Sequence, residues 1–390
     1  MIEKRRQGVS NRQSPILNHQ SNWGQKGANA VCSSRIARQA IMKKLEVGIL
    51  GATGMVGQRL VSLLEHHPWF EVRWLAASER SAGKSYGEAC NWRIRDAMPK
   101  AAAQLPVNEC RPGKAPQLVF SSLDSRVAGE VEKEFAHAGH VVVSNSSNHR
   151  MDPDVPLLIP DVNPDHLALV HVQRQERKWK GMIVTNPNCT TVGLVMSLAP
   201  LERAFGLEKV IMTSMQAVSG AGYPGLPTLD IIGNVIPYIS GEEEKVERET
   251  RKLLGHLGEG RVEMGNFVVS AHCNRVPVED GHTESISIAL RSPAKLDDLL
   301  EAWRKYRSRP QELHLPSAPK HPILVREERD RPQVKFDVGA ENGMATVVGR
   351  LRPCPVLEWK YTALSHNTIR GAAGAALLNA ELMRAEGYLE

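Results

Sequence analysis

A chain of 390 residues, 42% hydrophobic and 24% charged, is long enough for two domains with full cores and ordinary in composition for a globular protein in water. No apolar run reaches membrane-spanning length, and the six cysteines (Cys32, Cys90, Cys110, Cys189, Cys273, Cys354) lack C-x-x-C or zinc-like spacing, which argues against a membrane span, a disulfide framework and a structural metal. The net charge of +6 resides in residues 1–41, where Lys4, Arg5, Arg6, Arg12, Lys26, Arg35 and Arg38 face only Glu3, so the rest is neutral and shows no basic stripe for nucleic acid.

Residues 1–41 are polar, rich in Ser, Asn, Gln and Arg, and lack periodicity, the composition of a disordered extension. Such an acid-poor leader suits an organelle transit peptide or an extended upstream start. Met42-Lys43-Lys44 runs straight into the first strand, which favours the second reading and a cytoplasmic protein.

Leu45–Leu50 reads as a strand, followed by Gly51-Ala52-Thr53-Gly54-Met55-Val56-Gly57 and then Leu60, Leu63 and Leu64 at helical spacing. Strand, glycine-rich turn and helix in that order form a dinucleotide-binding unit, with the pyrophosphate on the helix N-terminus. A second strand, Val72–Ala76, leads into Ala77-Ser78-Glu79-Arg80-Ser81-Ala82-Gly83-Lys84. Arg80 between Ser78 and Ser81 suits a ribose 2′-phosphate and so NADP, whereas Glu79 suits the 2′-hydroxyl of NAD. Leu118–Phe120 and Val141–Val143, with a helical segment around 127–137 between them, extend a parallel sheet and leave Ser121 and Ser122 at its carboxyl edge, where ligands bind. Arg150 is a candidate anion binder.

Thr185-Asn186-Pro187-Asn188-Cys189-Thr190-Thr191-Val192-Gly193 then reads as a tight turn entering an apolar helix marked by Leu194, Val195, Leu198 and Leu201. The turn delivers Cys189 to the first helical turn, where free N–H groups and the helix dipole would stabilise a thiolate nucleophile. A lone cysteine is more often a space-filler. Beyond it, Val210–Val218 reads as a strand ending in the flexible run Ser219-Gly220-Ala221-Gly222-Tyr223-Pro224-Gly225. Further strands are expected at 267–270, 286–290, 345–351 and 357–364, with a helix over 296–306 and a long Pro- and Arg-rich loop over 307–331. Successive strands without helices between them predict an antiparallel or mixed sheet in a second, α+β domain beside the Rossmann-type first one. The last helix, 367–390, is rich in Gly and Ala and is expected to return to the first domain. The predicted division is 42–188 plus 367–390 for the cofactor and 189–366 for catalysis and dimerisation. Among 14 histidines, His282 stands out, in a turn just before a strand and seven residues after Arg275; His272 and His366 are rivals for a proton-transfer role.

Four stretches together, the cysteine turn, Ala77–Lys84, Asn234-Val235-Ile236-Pro237-Tyr238-Ile239-Ser240-Gly241-Glu242-Glu243-Glu244-Lys245 and Asn367-Thr368-Ile369-Arg370-Gly371, make residues 42–390 resemble the aspartate-semialdehyde dehydrogenases, in particular their archaeal and fungal branch. The resemblance implies that Cys189 accepts the acyl group, that His282 is the acid/base, and that Arg275 holds the substrate α-carboxylate. It implies Glu242 at the substrate ammonium, Lys245 and Arg150 at the phosphate, Gln216 holding the substrate and Asn188 orienting the reacting group. NADP would lie along Gly51, Thr53, Gly54, Met55, Val56, Ser78, Arg80, Ser81, Ser121, Ser122, Ser219, Gly220 and Asn367, with no metal. The implied reaction is NADPH-dependent reductive dephosphorylation of L-aspartyl 4-phosphate to L-aspartate 4-semialdehyde through a cysteine thioester, in a homodimer or tetramer. Malonyl-coenzyme A reductase and N-acetyl-γ-glutamyl-phosphate reductase are rival enzymes of the same chemistry. A non-catalytic NADP-binding regulator is the rival of another class, and it predicts a missing nucleophile or base.

Overall fold

The computed structural model describes residues 43–389, so the basic extension over 1–41 lies outside the described residues. β1 (Leu45–Leu50), β2 (Phe70–Ala77), β3 (Val107–Glu109), β4 (Leu118–Ser121), β5 (Val141–Ser144) and β6 (Met182–Thr185) form a parallel sheet in the order β3-β2-β1-β4-β5-β6. Its inner strands are covered on both faces, which is why β4 and β5 are buried at every position and read as unbroken apolar runs. Helices α1 (Met55–Leu64), α2 (Ser125–Ala138) and α3 (Leu169–Arg177) belong to this half. Asp124 caps the start of α2 by accepting the Arg126 N–H, and Gly139, with φ +105°, ends it. The strand order reverses between β1 and β4, and the crevice outside their carboxyl ends is where this architecture takes a ligand.

After α4 (Cys189–Phe205) come β7 (Leu207–Gln216), α5 (Glu242–Leu253), a small ribbon of β8 (His256–Leu257) and β9 (Val262–Glu263), then β10 (Val268–Arg275) and β11 (His282–Leu290). α6 (Leu296–Arg304), β12 (Ile323–Arg326), β13 (Thr346–Pro353) and β14 (Trp359–Ser365) complete the second sheet, ordered β10-β7-β11-β14-β13-β12. It is mixed: β10 runs parallel to β7 and β12 parallel to β13, while the other pairs are antiparallel. One face carries α4, α5 and α6, whose Val192, Leu198, Val246, Leu299 and Trp303 share a core with Met212, Ile286 and Tyr361. The opposite face leaves Ile211 and, on the edge strand, Val268 exposed.

The chain closes with a π-turn, Ile369–Ala373, and α7 (Gly374–Ala385). Ala373, Ala376, Leu377 and Leu382 share one core with Val47, Ile49 and Phe120 of the parallel sheet and Leu60 of α1, and the small side chains of Ala373 and Ala376 permit that close approach. The final helix therefore starts at Gly374, later than the pattern from Asn367 predicts. The stretch 307–331 is not one long loop: it holds a helical turn, Arg309–Glu312, and β12, whose Ile323 and Leu324 pair with Thr346 and Val347. A short apolar run among prolines and arginines is enough for a strand once β13 supplies the partner. β3 and β6 also escape the sequence reading, because runs of three and four residues carry no period.

Arg370, on the π-turn, donates to Asp161 with both side chains buried; the same Asp161 carboxylate accepts from Gln311 at 3.1 Å, and its carbonyl from the Tyr306 hydroxyl at 2.6 Å. This pair ties the end of the chain to the loop after β5. Arg370→Ala leaves a buried carboxylate without its cation, and denaturant titration should show a loss of about 3–5 kcal/mol. A loss below about 1 kcal/mol would mean the pair does not hold the π-turn in place.

Candidate active site

The cysteine turn is built from three side-chain anchors. Asn186 Nδ2 donates to Asn145 Oδ1 (2.8 Å) and to the Ala372 carbonyl (3.2 Å). Asn188 is the N-cap of α4, its Oδ1 accepting from the N–H groups of Thr190 (2.9 Å) and Thr191 (3.1 Å). The Asn188 N–H donates to Glu249 Oε2 at 2.6 Å. Cys189 is thus the first residue of α4, and its Sγ lies 3.2 Å from His282 Nε2.

Topology brings the partners there. β7 and β10 are parallel, so Gln216 and Arg275 pair at the same edge of the mixed sheet, and antiparallel β11 begins at that edge with His282. The residue after β7, Ala217, links them: its N–H donates to His282 Nδ1 (3.1 Å) and its carbonyl accepts from Arg275 Nη1 (2.7 Å). Gln216 is buried and its Nε2 donates to Ser214 Oγ at 3.1 Å. The rival histidines do not meet the thiol: His272 is exposed on β10, and His366 is buried with no contact to Cys189 among the described hydrogen bonds.

Helix α5 supplies the opposite wall. Of the three consecutive glutamates, Glu242 is the one that reaches the cysteine turn, accepting from Asn188 Nδ2 (2.9 Å) and Thr190 Oγ1 (3.4 Å). Glu243 instead accepts the Cys273 N–H, and Glu244 is exposed. Lys245 Nζ lies 4.0 Å from Glu242 Oε2 and keeps 38% of its side chain exposed, so it can still meet an anion. Arg150 is committed inward: Nη1 donates to Glu249 Oε1 (3.0 Å), Nη2 to the Asn145 carbonyl (2.7 Å), and the residue is 7% exposed.

The electrostatics correct one expectation. Burial, with the charge of Glu242, pushes the Cys189 thiol up to about 12, outweighing Arg275, Arg150 and the Thr190 N–H, which favour the thiolate. Burial, with the positive charge of Arg275, pushes His282 down to about 3. The helix start alone does not stabilise a thiolate here; the resting pair is a thiol beside a neutral imidazole.

A cleft of about 950 Å³ opens beside this pair at the switch point of the parallel sheet, lined among others by Gly51, Thr53, Gly54, Met55, Val56, Ser78, Glu79, Arg80, Ser122 and Gly220. Gly51 has φ +74°, and a Cβ there would sit 2.7 Å from the Ser122 carbonyl, so the turn requires glycine. The first turn of α1 carries no acidic residue and Gly54 offers no side-chain cap, leaving its N–H groups for a phosphate. Arg80 makes no ion pair among the described residues. These features fit a dinucleotide. Ser81, Ser121, Ser219 and Asn367 do not line the cleft. Ser81 donates its N–H back to Ser78 within the turn, Ser121 is enclosed between β1 and β5, and Ser219 and Asn367 hydrogen-bond each other at 2.8 Å. Gly220 connects cleft and pair: a Cβ on it would lie 2.8 Å from Arg275 Nη1 and 3.5 Å from His282 Nε2.

Two family models match the chain: the NAD binding domain of semialdehyde dehydrogenases over residues 46–170 and their dimerisation domain over 198–370. This defines a semialdehyde dehydrogenase with a dimerising half. The chain is 50% identical over 343 residues to the aspartate-semialdehyde dehydrogenase of Methanothermobacter thermautotrophicus, covering 87% of this chain and 99% of that protein. It is 48% identical over 354 residues to that of Schizosaccharomyces pombe, covering 88% and 99%. A crystal structure of the Candida albicans aspartate-semialdehyde dehydrogenase with NADP superposes with a TM-score of 0.83 at 42% identity, covering 89% of this chain and all of that one. The chain belongs to the aspartate-semialdehyde dehydrogenase family.

Two residues of the site, Glu249 and Ala217, carry no sequence signal that reasoning from the chain detects, and Gly371 lies in a stretch that carries the family resemblance without a role being assigned to it. Glu249 bridges Arg150 and the Asn188 N–H, yet reads as one acid among many on a polar helix. Ala217 acts through its backbone alone. Gly371 faces Cys189, where a Cβ would lie 2.8 Å from Cys189 Cβ and 3.0 Å from its Cα. Gly371→Ala should therefore displace Cys189 and lower kcat by about 10²-fold, with the thermal midpoint also lowered because the added methyl meets backbone in a buried turn, as steady-state kinetics and calorimetry will read. In the ligand-free protein, carboxamidomethylation of Cys189 by iodoacetamide, followed by mass spectrometry, should be slow at neutral pH and rise about ten-fold per pH unit in alkali. A fast, pH-independent rate would show a resting thiolate.

Proposed function

We propose that this protein reduces L-aspartyl 4-phosphate to L-aspartate 4-semialdehyde and phosphate with NADPH, in the biosynthesis of lysine, threonine and methionine. The observation that carries the reading is the 3.2 Å contact of Cys189 Sγ and His282 Nε2 beneath Gly220, the residue that also borders the dinucleotide cleft. Both a nucleophile and its proton partner are present, which is against an idle NADP-binding regulator. Bound NADPH supplies the hydride for reducing the captured acyl group.

Cys189 attacks the acyl phosphate carbonyl; a carbon–sulfur bond forms, the acyl carbon–oxygen bond breaks, and phosphate leaves behind a thioester. His282 stands at the proton-transfer position beside the sulfur. Arg275, held by one nitrogen to Ala217, offers the remainder of its fork to the α-carboxylate. Glu242 meets the substrate ammonium and Lys245 its phosphate, with Arg150 contributing charge from behind Glu249. Gln216 and Asn188 border the acyl group. On the cofactor side, Thr53 to Val56 cover the pyrophosphate, and Ser78 and Arg80 meet the 2′-phosphate, with Ser122 bordering the same cleft. Residues 42–188 with 367–390 make the cofactor half, and 189–366 the catalytic and dimerising half. The protein is a homo-oligomer, and its dimer forms through the open face of the mixed sheet. Exposed Ile211 and Val268 support this, with Val235 and Tyr238 on the segment that bridges to β10 at Ile236 and Arg275. Among the described residues no helix is long and apolar enough to cross a membrane, consistent with work in the cytoplasm.

The purified protein should reduce NADP⁺ when given aspartate semialdehyde and phosphate. Cys189→Ala should lower that rate by about 10⁴-fold or more while calorimetry still records NADP binding. Failure of the first with turnover of malonyl-coenzyme A in its place would transfer the protein to a different substrate.

A further inference from the structure

β10 is an edge strand of the mixed sheet, so one row of its N–H groups has no neighbouring strand to accept them. Helix α5 meets that row with side chains. Glu243 Oε1 accepts the Cys273 N–H at 2.9 Å, and Glu247 Oε1 accepts the Ala271 N–H at 3.1 Å. The two repeats are in step: four residues along a helix and two along a strand both advance about 6–7 Å, so residues 243 and 247 fall opposite 273 and 271 as the elements run in opposite directions. One turn on, Arg251 continues the row, its Nε donating to the Gly265 carbonyl (3.0 Å) and its carbonyl accepting the Gly265 N–H (2.8 Å). At the other end the strand reaches Arg275, whose N–H and carbonyl pair with Ile236 at 2.8 and 3.0 Å. The whole outer edge of β10 is thereby fastened, and α5 holds its middle.

This attachment has a consequence for two buried charges. Glu242 stands one residue before the row and faces the other way, toward Asn188 and Thr190, while Arg275 is the last residue of β10. The two are close enough for the Glu242 carboxylate to favour the Arg275 cation. They sit on different elements, so their separation is only as fixed as the helix is against the strand. We propose that Glu243 and Glu247 are positioning residues: by clamping α5 to the edge of β10 they set the spacing of Glu242 from Arg275, and so select a substrate that carries an ammonium beside its carboxylate. The inference rests on the reading of Arg275 and Glu242 as the partners of those two groups. A carboxylate accepting an N–H makes a strong, short bond. Glutamine offers an oxygen acceptor of the same reach, whereas alanine offers none. If the two glutamates served only to protect an edge strand, their loss would promote association through β10 and leave the choice of substrate untouched.

The test compares kcat/KM for aspartate semialdehyde with that for succinate semialdehyde, the same aldehyde without its amino group, using NADP⁺ and phosphate. Glu243→Ala and Glu247→Ala, made singly, should each lower the ratio of the two by about ten-fold while KM for NADP⁺ stays within about two-fold. Glu243→Gln and Glu247→Gln should restore most of the ratio, and Glu244→Ala, which removes an exposed charge from the same helix, should leave it unchanged. A ratio unchanged in both alanine variants, or lowered as far by glutamine as by alanine, overturns the inference. Glu242→Gln tests the underlying reading separately: if it leaves the ratio unchanged, Glu242 does not meet the ammonium. The clamp is then decided by hydrogen exchange at the Asn188 N–H, which Glu249 of α5 holds at 2.6 Å. Exchange there should speed up in the alanine variants and not in the glutamine ones, and equal rates in all of them overturn the inference.

Discussion

The contact between Cys189 and His282 joins the start of α4 to the start of β11, two elements whose residues are 93 apart in the chain, and the rest of the site exists to hold its two ends. On the cysteine side the Asn188 cap fixes the helix entry, Glu249 fixes the peptide before Cys189, and Gly371 leaves room for it. On the histidine side the Ala217 peptide orients the ring and ties it to Arg275. A reacting geometry good to a fraction of an ångström needs supports of this kind on both partners, because a looser one loses the gain from proximity.

Charge is arranged around this contact but not in it. Cys189 and His282 are both neutral at rest, while Glu242, Arg275, Arg150 and Lys245 surround them. Burial enforces the neutrality: two groups in a low-dielectric pocket form an ion pair only when the pair repays two desolvation costs. The surrounding groups, unlike the pair, keep a formal charge with which an ionic ligand can be met. Arg275 feels this arrangement too, its basicity lowered by burial and only partly restored by its acidic neighbours.

How much of this was legible in the chain follows from the range of each interaction. The glycine turn after β1 and the Asn-Pro-Asn turn before Cys189 are local, and local steric rules read them correctly. Alternation identified β11, and unbroken apolar runs identified β4 and β5. His282 stands out in the chain by its place before a strand, seven residues after Arg275, but His272 and His366 rival it there, and only likeness to a family chose among them and gave Arg275 a role. Glu249 was illegible because its partners, Asn188 and Arg150, are 61 and 99 residues away. The order of the mixed sheet was equally hidden, since β7 pairs with β10 and β11 through connections that carry no pattern of their own. The misjudged thiol shows a further limit. The helix start that favours a thiolate is visible in sequence, whereas the burial that outweighs it is a property of the assembled fold.

Helix α5 shows why a polar sequence can still belong to the interior. Its segment, Glu242–Leu253, reads as solvated, yet Glu242, Glu249 and Lys252 are among its buried residues. Each is met by fixed polar groups: Glu242 by Asn188 and Thr190, Glu249 by Arg150 and the Asn188 N–H, and Lys252 by the carbonyls of Arg150 (2.8 Å), Asp152 (2.8 Å) and Val155 (3.0 Å). Burial lowers the Lys252 ammonium to about 8, against the pull of Asp152, Asp154 and Glu249, so the interaction costs free energy as well as returning it. Leucine or methionine in these places would fill the same volume without a desolvation cost, but would fix neither the cysteine turn nor the strand-end loop that carries Arg150. One helix face therefore sets the distance between Cys189 and the surrounding charges, and its polarity is what makes that distance specific.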